Sequence, residues 1–236
     1  MSLLEVKDIE SGYGKISILH GISIKVEEKE MVTIIGPNGA GKTTFMRTLF
    51  GLLKPRRGKI LFQDEEIGSL GPDEVVQKGI GYVLQENNVF PSLTVMENLK
   101  MGAYLLGSFD DQLDDVFKRF PILKDRQNQK AATLSGGERQ MLAIASSLML
   151  SPKLLLLDEP CGGLAPQIVN SVCQKILEIN EMGTAILWVV EQNPKQIMRH
   201  AKRSYVLESG TIKFEGIPDD LLQERKFESL FFGEGK

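Results

Sequence analysis

Eight consecutive residues, Gly36-Pro37-Asn38-Gly39-Ala40-Gly41-Lys42-Thr43, satisfy the pattern G-x-x-x-x-G-K-[ST]. Glycines let backbone N–H groups approach a polyphosphate, the lysine supplies a cation for β and γ oxygens, and the threonine hydroxyl is a ligand for Mg²⁺. Thr44 continues the same helix start. A loop that only joined two elements would have no need of Lys42. A second group, Leu154-Leu155-Leu156-Leu157-Asp158-Glu159, sets two carboxylates at the C-terminal end of an apolar strand, where parallel sheets bind their ligands. Asp158 is placed to hold the metal, directly or through water, and Glu159 to polarise an attacking water as general base. A third group is Leu134-Ser135-Gly136-Gly137-Glu138-Arg139-Gln140. Ser135 and Glu138 have the spacing of a capping box, which requires no glycine. Paired glycines at a helix start also let a backbone close on an anion, and the motif alone does not say whose anion that is.

These groups need a frame. Met31 to Ile35, Lys153 to Leu157 and Thr184 to Val190 are continuous, β-branched or leucine-rich runs, as expected of strands buried on both faces of a parallel sheet. Helical patterns lie between them, beginning with Phe45, Leu49 and Phe50 after the glycine-rich loop. From Leu3 to Glu30 the pattern alternates instead, most clearly at Ile22, Ile24 and Val26, and predicts antiparallel strands. Strand signals vanish between about Pro91 and Ser151, where Leu113, Val116, Phe117 and Phe120, and again Met141, Ile144, Ala145 and Leu148, keep helical spacing. Ser209-Gly210 between two short runs predicts a hairpin, and Pro218 opens a final helix and tail.

Composition narrows the classes. With 236 residues, 42% hydrophobic and 25% charged, the chain suits one substantial domain carrying an insertion. A net charge of −3 argues against a broad grip on nucleic acid or anionic lipid. The start, MSLLEVKDIE, lacks a signal-peptide core, and no apolar run is long enough to span a bilayer. Cys161 and Cys173 lack metal-site spacing and are expected to be reduced thiols; His20 and His200 have no catalytic neighbours in sequence.

GPNGAGKTT, LSGGE and LLLLDEP, in this order and over essentially the whole chain, resemble the ATP-binding subunits of ABC transporters. The resemblance implies an α/β fold: a RecA-like P-loop NTPase core with a parallel sheet, an N-terminal antiparallel β subdomain, and an inserted helical subdomain. It implies a single domain over 1–236, with the core in about 1–90 and 152–236 and the helical part in about 91–151. ATP and Mg²⁺ are the implied cofactors. Tyr13 matches the aromatic that stacks on adenine, and Gln85 in YVLQEN the glutamine joining the metal site to the helical subdomain. Ser135, Gly136, Gly137 and Glu138 would clamp the γ-phosphate held by a second subunit in a head-to-tail dimer. Ser135, Gly136 and Gly137 are expected to face outward while Glu138 holds the helix end.

The chain departs from the family pattern at Glu138, where Gln is usual, and in two further places. Cys161-Gly162-Gly163-Leu164-Ala165 stands where S-x-x-L-D is usual, so a carboxylate at the dimer contact is missing. Gln192 replaces a histidine, and glutamine donates a hydrogen bond but shuttles no proton, so only a positioning role is assigned to it. The VEQN, GLAP and ENLKMGAY segments narrow the resemblance to branched-chain amino acid uptake, and to its second ATPase subunit type; lipopolysaccharide or lipid export, urea or amide uptake, and soluble ABC ATPases are the alternatives. The implied partners are membrane permease subunits and a second ATPase subunit, with a substrate-binding protein engaged only indirectly; the apolar stretch Val89 to Leu93 predicts that the permease docks beside the helical insertion. No nucleic-acid partner is implied. The implied location is cytoplasmic, peripheral at the inner face of the cell membrane.

Overall fold

A computed structural model describes residues 2–86, 88–191 and 194–223. The chain opens with two long antiparallel strands, β1 (Ser2–Tyr13) and β2 (Ile16–Glu27), which the alternating pattern predicted. Then come β3 (Met31–Ile35), α1 (Lys42–Leu49), β4 (Arg57–Phe62), β5 (Glu65–Glu66), α2 (Pro72–Gln77) and β6 (Ile80–Val83). Four helices follow: α3 (Val95–Gly102), α4 (Asp110–Arg119), α5 (Pro121–Asp125) and α6 (Gly136–Leu148). The remaining elements are β7 (Leu154–Asp158), α7 (Pro166–Glu181), β8 (Ala185–Val190), α8 (Pro194–Met198), β9 (Arg203–Glu208), β10 (Thr211–Gly216) and α9 (Pro218–Gln223). Ser209 and Gly210, both at positive φ, turn β9 into β10 as the hairpin signal required.

Two sheets result. One is antiparallel in the order β2-β1-β4-β5; the other runs β10-β9-β3-β8-β7-β6, parallel except for the antiparallel edge strand β10. Strand periodicity divides the core between the two faces of the larger sheet. Leu155, Leu157, Ile186 and Trp188 pack toward α3–α7, whereas Leu154, Leu156, Leu187 and Val189 pack toward α1 and the antiparallel sheet. All four β7 leucines are fully buried, and truncating such a leucine to alanine typically costs about 2–5 kcal/mol. The sheet is therefore a rigid platform whose strand ends hold the site in place. On α4 and α6 the expected residues Val116, Phe117, Ile144, Ala145 and Leu148 are buried, and Leu113 and Met141 partly so. No helix among the described residues is long and apolar enough to cross a membrane.

Candidate active site

The phosphate-type loop leaves the buried end of β3 and enters α1 through Gly41. That residue has φ 104°, and a Cβ there would also lie 3.0 Å from Leu19 Cδ2, so only glycine fits without strain. The Lys42 side chain folds back across the loop, donating to the carbonyls of Gly36 at 2.8 Å and Pro37 at 3.1 Å. It is buried, yet its charge faces a cavity of about 360 Å³. Asn38, Gly39, Gly41, Lys42, Thr43 and Thr44 form one wall; Gln85, Glu159 and Glu191 supply the carboxylates and amide of another. Ala40 is buried beneath the loop, its carbonyl accepting from the Gly210 N–H at 2.9 Å.

Asp158, fully buried at the end of β7, accepts from Thr43 Oγ1 at 3.3 Å on one oxygen and from Tyr82 Oη at 3.0 Å on the other. Burial raises its pKa, while these two hydroxyls and the Arg47 and Lys42 charges oppose the rise. A carboxylate and a hydroxyl converging on one point form a hard oxygen donor set, which fits Mg²⁺ rather than a soft metal. Gln85 reaches the same corner, its Nε2 donating to Glu159 Oε2 at 3.1 Å.

Glu159 holds a left-handed backbone conformation, φ 52°, which costs a non-glycine residue free energy. Its N–H bonds the Val189 carbonyl at 3.2 Å and its carbonyl accepts from the Gly162 N–H at 3.0 Å, which fixes the turn. The side chain lies 3.8 Å from Lys42 Nζ. Burial, followed by a hydrogen bond and charge repulsion from Glu191, pushes its pKa up to about 7. A carboxyl group titrating there is a competent general base near neutral pH. Glu191 is held below the usual carboxylate range by the hydrogen bond from Glu159.

The structure thus brings together Lys42, Thr43, Gln85, Asp158 and Glu159 from three separate segments. It adds two residues that the motifs did not reveal. Glu191 follows the buried run of β8 and obeys the same strand-end rule that singled out Asp158 and Glu159. Tyr82, on β6, had no motif to mark it. Tyr13 sits exposed at the β1–β2 turn, its hydroxyl accepting from Arg47 Nη1 at 3.3 Å. Gln192 lies outside the described residues.

The LSGGE segment starts α6. Ser135 Oγ accepts from the Glu138 N–H at 3.3 Å and Glu138 Oε2 from the Ser135 N–H at 2.8 Å, so the capping box is real. An ion pair to Arg126 at 3.0 Å fixes Glu138 further. Ser135 is exposed and Gly136 half-buried, but Gly137 is buried, contrary to the expectation that all three face outward. A Cβ on Gly137 would come within 2.3 Å of Ile168 Cγ2, so this glycine allows α6 to seat against the first turn of α7. Alanine normally gains about 1 kcal/mol over glycine in a helix, whereas overpacking costs about 1–3 kcal/mol. Gly137→Ala should therefore lower Tm, and adding Ile168→Ala should restore it; thermal melts of the two variants check this. A Gly137→Ala protein that melts higher than the parent would contradict the packing role.

A glycine-rich loop, a lysine over its mouth and paired carboxylates at neighbouring strand ends define a P-loop nucleotide-binding site. The chain belongs to the ABC transporter family, whose sequence model matches residues 19–162. It is accordingly an ATPase of that family and the ATP-binding subunit of a transporter. Among curated relatives, the high-affinity branched-chain amino acid transport ATP-binding protein BraG of Pseudomonas aeruginosa is 42% identical over 98% of this chain and 100% of its own length. The probable branched-chain amino acid transport ATP-binding protein LivF of Archaeoglobus fulgidus is 36% identical, covering 98% and 99%. The lipopolysaccharide export ATP-binding protein LptB of Haemophilus influenzae is 32% identical, covering 99% and 98%. Among solved structures, the ADP conformation of the ABC transporter cassette MJ1267 superposes with a TM-score of 0.87 at 28% identity over 99% of this chain and 100% of that one. A dimeric post-hydrolysis state of the cassette MJ0796 bound to ADP and Pi gives 0.80 at 26% identity, covering 91% and 98%.

Proposed function

We propose that this subunit hydrolyses ATP to drive amino acid uptake, branched-chain substrates foremost, through a membrane permease. The observation that carries the substrate class is the full-length 42% identity to a branched-chain amino acid transport ATPase, against 32% to a lipopolysaccharide export ATPase. In this reading residues 36–44 bind the ATP phosphates and Tyr13 meets the adenine. Thr43, Asp158 and Gln85 hold Mg²⁺, which when bound screens phosphate charge during hydrolysis. Lys42 pairs with β and γ oxygens, and Glu159 takes the proton of the attacking water. Gln192 orients the phosphate end. Ser135 and Gly136, with Gly137 packed behind them and Glu138 holding the helix end, approach the nucleotide of a second copy or a second ATPase subunit, so that ATP closes a head-to-tail dimer and hydrolysis releases it. Residues 1–90 and 152–236 act as the nucleotide-binding core, and residues 91–151 as a helical subdomain.

The permease would engage a separate cavity of about 430 Å³, at the inner face of the cell membrane. Its lining includes Phe50, Tyr82, Phe90, Met101, Tyr104 and Leu105, with Phe90 52% and Tyr104 80% exposed. An open apolar cleft of this kind needs a partner to cover it. Tyr82 contributes to this cleft and also donates to Asp158, which links the docking surface with the metal corner. Phe90→Glu or Tyr104→Glu should abolish co-purification with membrane permease subunits while the isolated subunit keeps its ATPase rate. Unchanged co-purification would remove the cleft as docking site, and co-purification with a lipid export complex would overturn the amino acid assignment.

A further inference from the structure

The two cysteines of the chain, twelve residues apart, meet in the fold: Cys161 Sγ and Cys173 Sγ lie 3.8 Å apart, both buried. Cys161 stands two residues after Glu159, in the turn whose Gly162 N–H bonds the Glu159 carbonyl. Leu164 in the same segment packs toward Gly136 of LSGGE, 3.2 Å from where a Cβ there would be. Cys173 belongs to the middle of α7 and lines a cavity of about 320 Å³ with Asn170, Gln174, Trp188, Gln196 and His200. One thiol therefore faces a space that admits a small oxidant, and the other touches the segment joining the catalytic base to the LSGGE contact.

We propose that Cys161 and Cys173 form a reversible oxidation site, closed to a disulfide by hydrogen peroxide, which slows ATP turnover by fixing the segment after Glu159 to α7. The Cys173 sulfur attacks one peroxide oxygen, the O–O bond breaks, and a sulfenic acid and one water result. Cys161 sulfur then attacks the sulfenic sulfur, gives up its S–H proton, and expels hydroxide, which leaves as a second water. Two thiols are oxidised and one peroxide is reduced. Either sulfur can donate in the contact between them; the order follows from access, since Cys173 lines the cavity and Cys161 does not, and the neighbouring sulfur with burial raises the Cys161 thiol. Bond formation needs the sulfurs to close from 3.8 Å to about 2.05 Å, a movement within reach of side-chain rotation in a turn that ends in glycines.

Full-length protein should be treated with hydrogen peroxide under native conditions, then measured by intact mass, by peptide mapping without reductant, and by ATPase assay before and after dithiothreitol. The expected result is loss of two hydrogen masses, a peptide linking Cys161 to Cys173, and a several-fold slower turnover that dithiothreitol restores. Cys173→Ser should hydrolyse ATP at the reduced wild-type rate and lose nothing on oxidation; Cys173→Ala serves if the serine variant fails to fold. A disulfide found only after denaturation, or one that forms without changing turnover, overturns the proposal. An inactive reduced protein would instead count against the ATPase reading, while the peptide map would still decide the oxidation site.

Discussion

Glu159→Gln should lower ATP hydrolysis by about 10²–10⁴-fold while leaving nucleotide binding intact, because it removes the proposed general base and keeps the side-chain shape. With ATP present the variant should migrate as a dimer, and with ADP as a monomer, since only ATP offers the γ-phosphate that LSGGE would clamp. Light scattering behind a sizing column reads this directly. The pH profile supplies an independent check. The working form of Glu159 is the carboxylate, and its pKa stands at about 7, so the wild-type rate should climb as pH rises through that region. The residual rate of the variant should lose that step. A wild-type profile flat from acid to pH 8, with the base still titrating there by spectroscopy, would mean another group takes the proton.

Asp158→Asn should have two effects of opposite sign. On the proposed role, hydrolysis in the presence of Mg²⁺ should fall by at least about 10²-fold, because an amide is a poor replacement for the carboxylate that would hold the metal. Stability without metal should instead rise. Asp158 is fully buried and its pKa is raised, so the folded state holds the proton more tightly than the unfolded chain. Its stabilising contribution is present below the unfolded pKa and is lost as pH climbs through the folded value. Once ionised, the wild-type carboxylate keeps a buried charge that the two hydroxyls and the Arg47 and Lys42 charges offset only in part, a cost the amide of the variant does not bear. The Tm advantage of the variant should therefore be larger at pH 8 than at pH 4. A variant that melts below wild type at pH 8 would show that the hydrogen bonds from Thr43 and Tyr82 outweigh the cost of burial.

Much of this was legible in the sequence because each motif is tied to a local backbone event. Gly41 and Lys42 announce a strand-to-helix turn, and Asp158-Glu159 the end of a buried strand; the structure places both where the runs predicted. Alternation separated the antiparallel β1 and β2 from the parallel strands, because a strand exposed on one face carries polar residues at every second position. Features that depend on long-range meetings were not legible. Tyr82 bonds a residue 76 positions away, Gly137 meets Ile168, and Cys161 meets Cys173 across a turn whose direction no spacing rule gives. Glu191 is a different case: it follows the buried run of β8, so the strand-end rule applies to it as it does to Asp158 and Glu159. The outward expectation for Gly137 failed because paired glycines can answer two demands, and this one serves helix packing against Ile168.

The central claim is that LSGGE completes the nucleotide site of another subunit. It is tested most directly by cross-linking Asn38→Cys to Ser135→Cys in a Glu159→Gln protein whose Cys161 and Cys173 are serine. Both target positions are exposed, and each reports one side of the supposed interface. With ATP, oxidation should yield a covalent dimer joined between residue 38 of one copy and residue 135 of the other; with ADP, it should leave monomer. Equal cross-linking with either nucleotide, or none with ATP, would contradict the shared site.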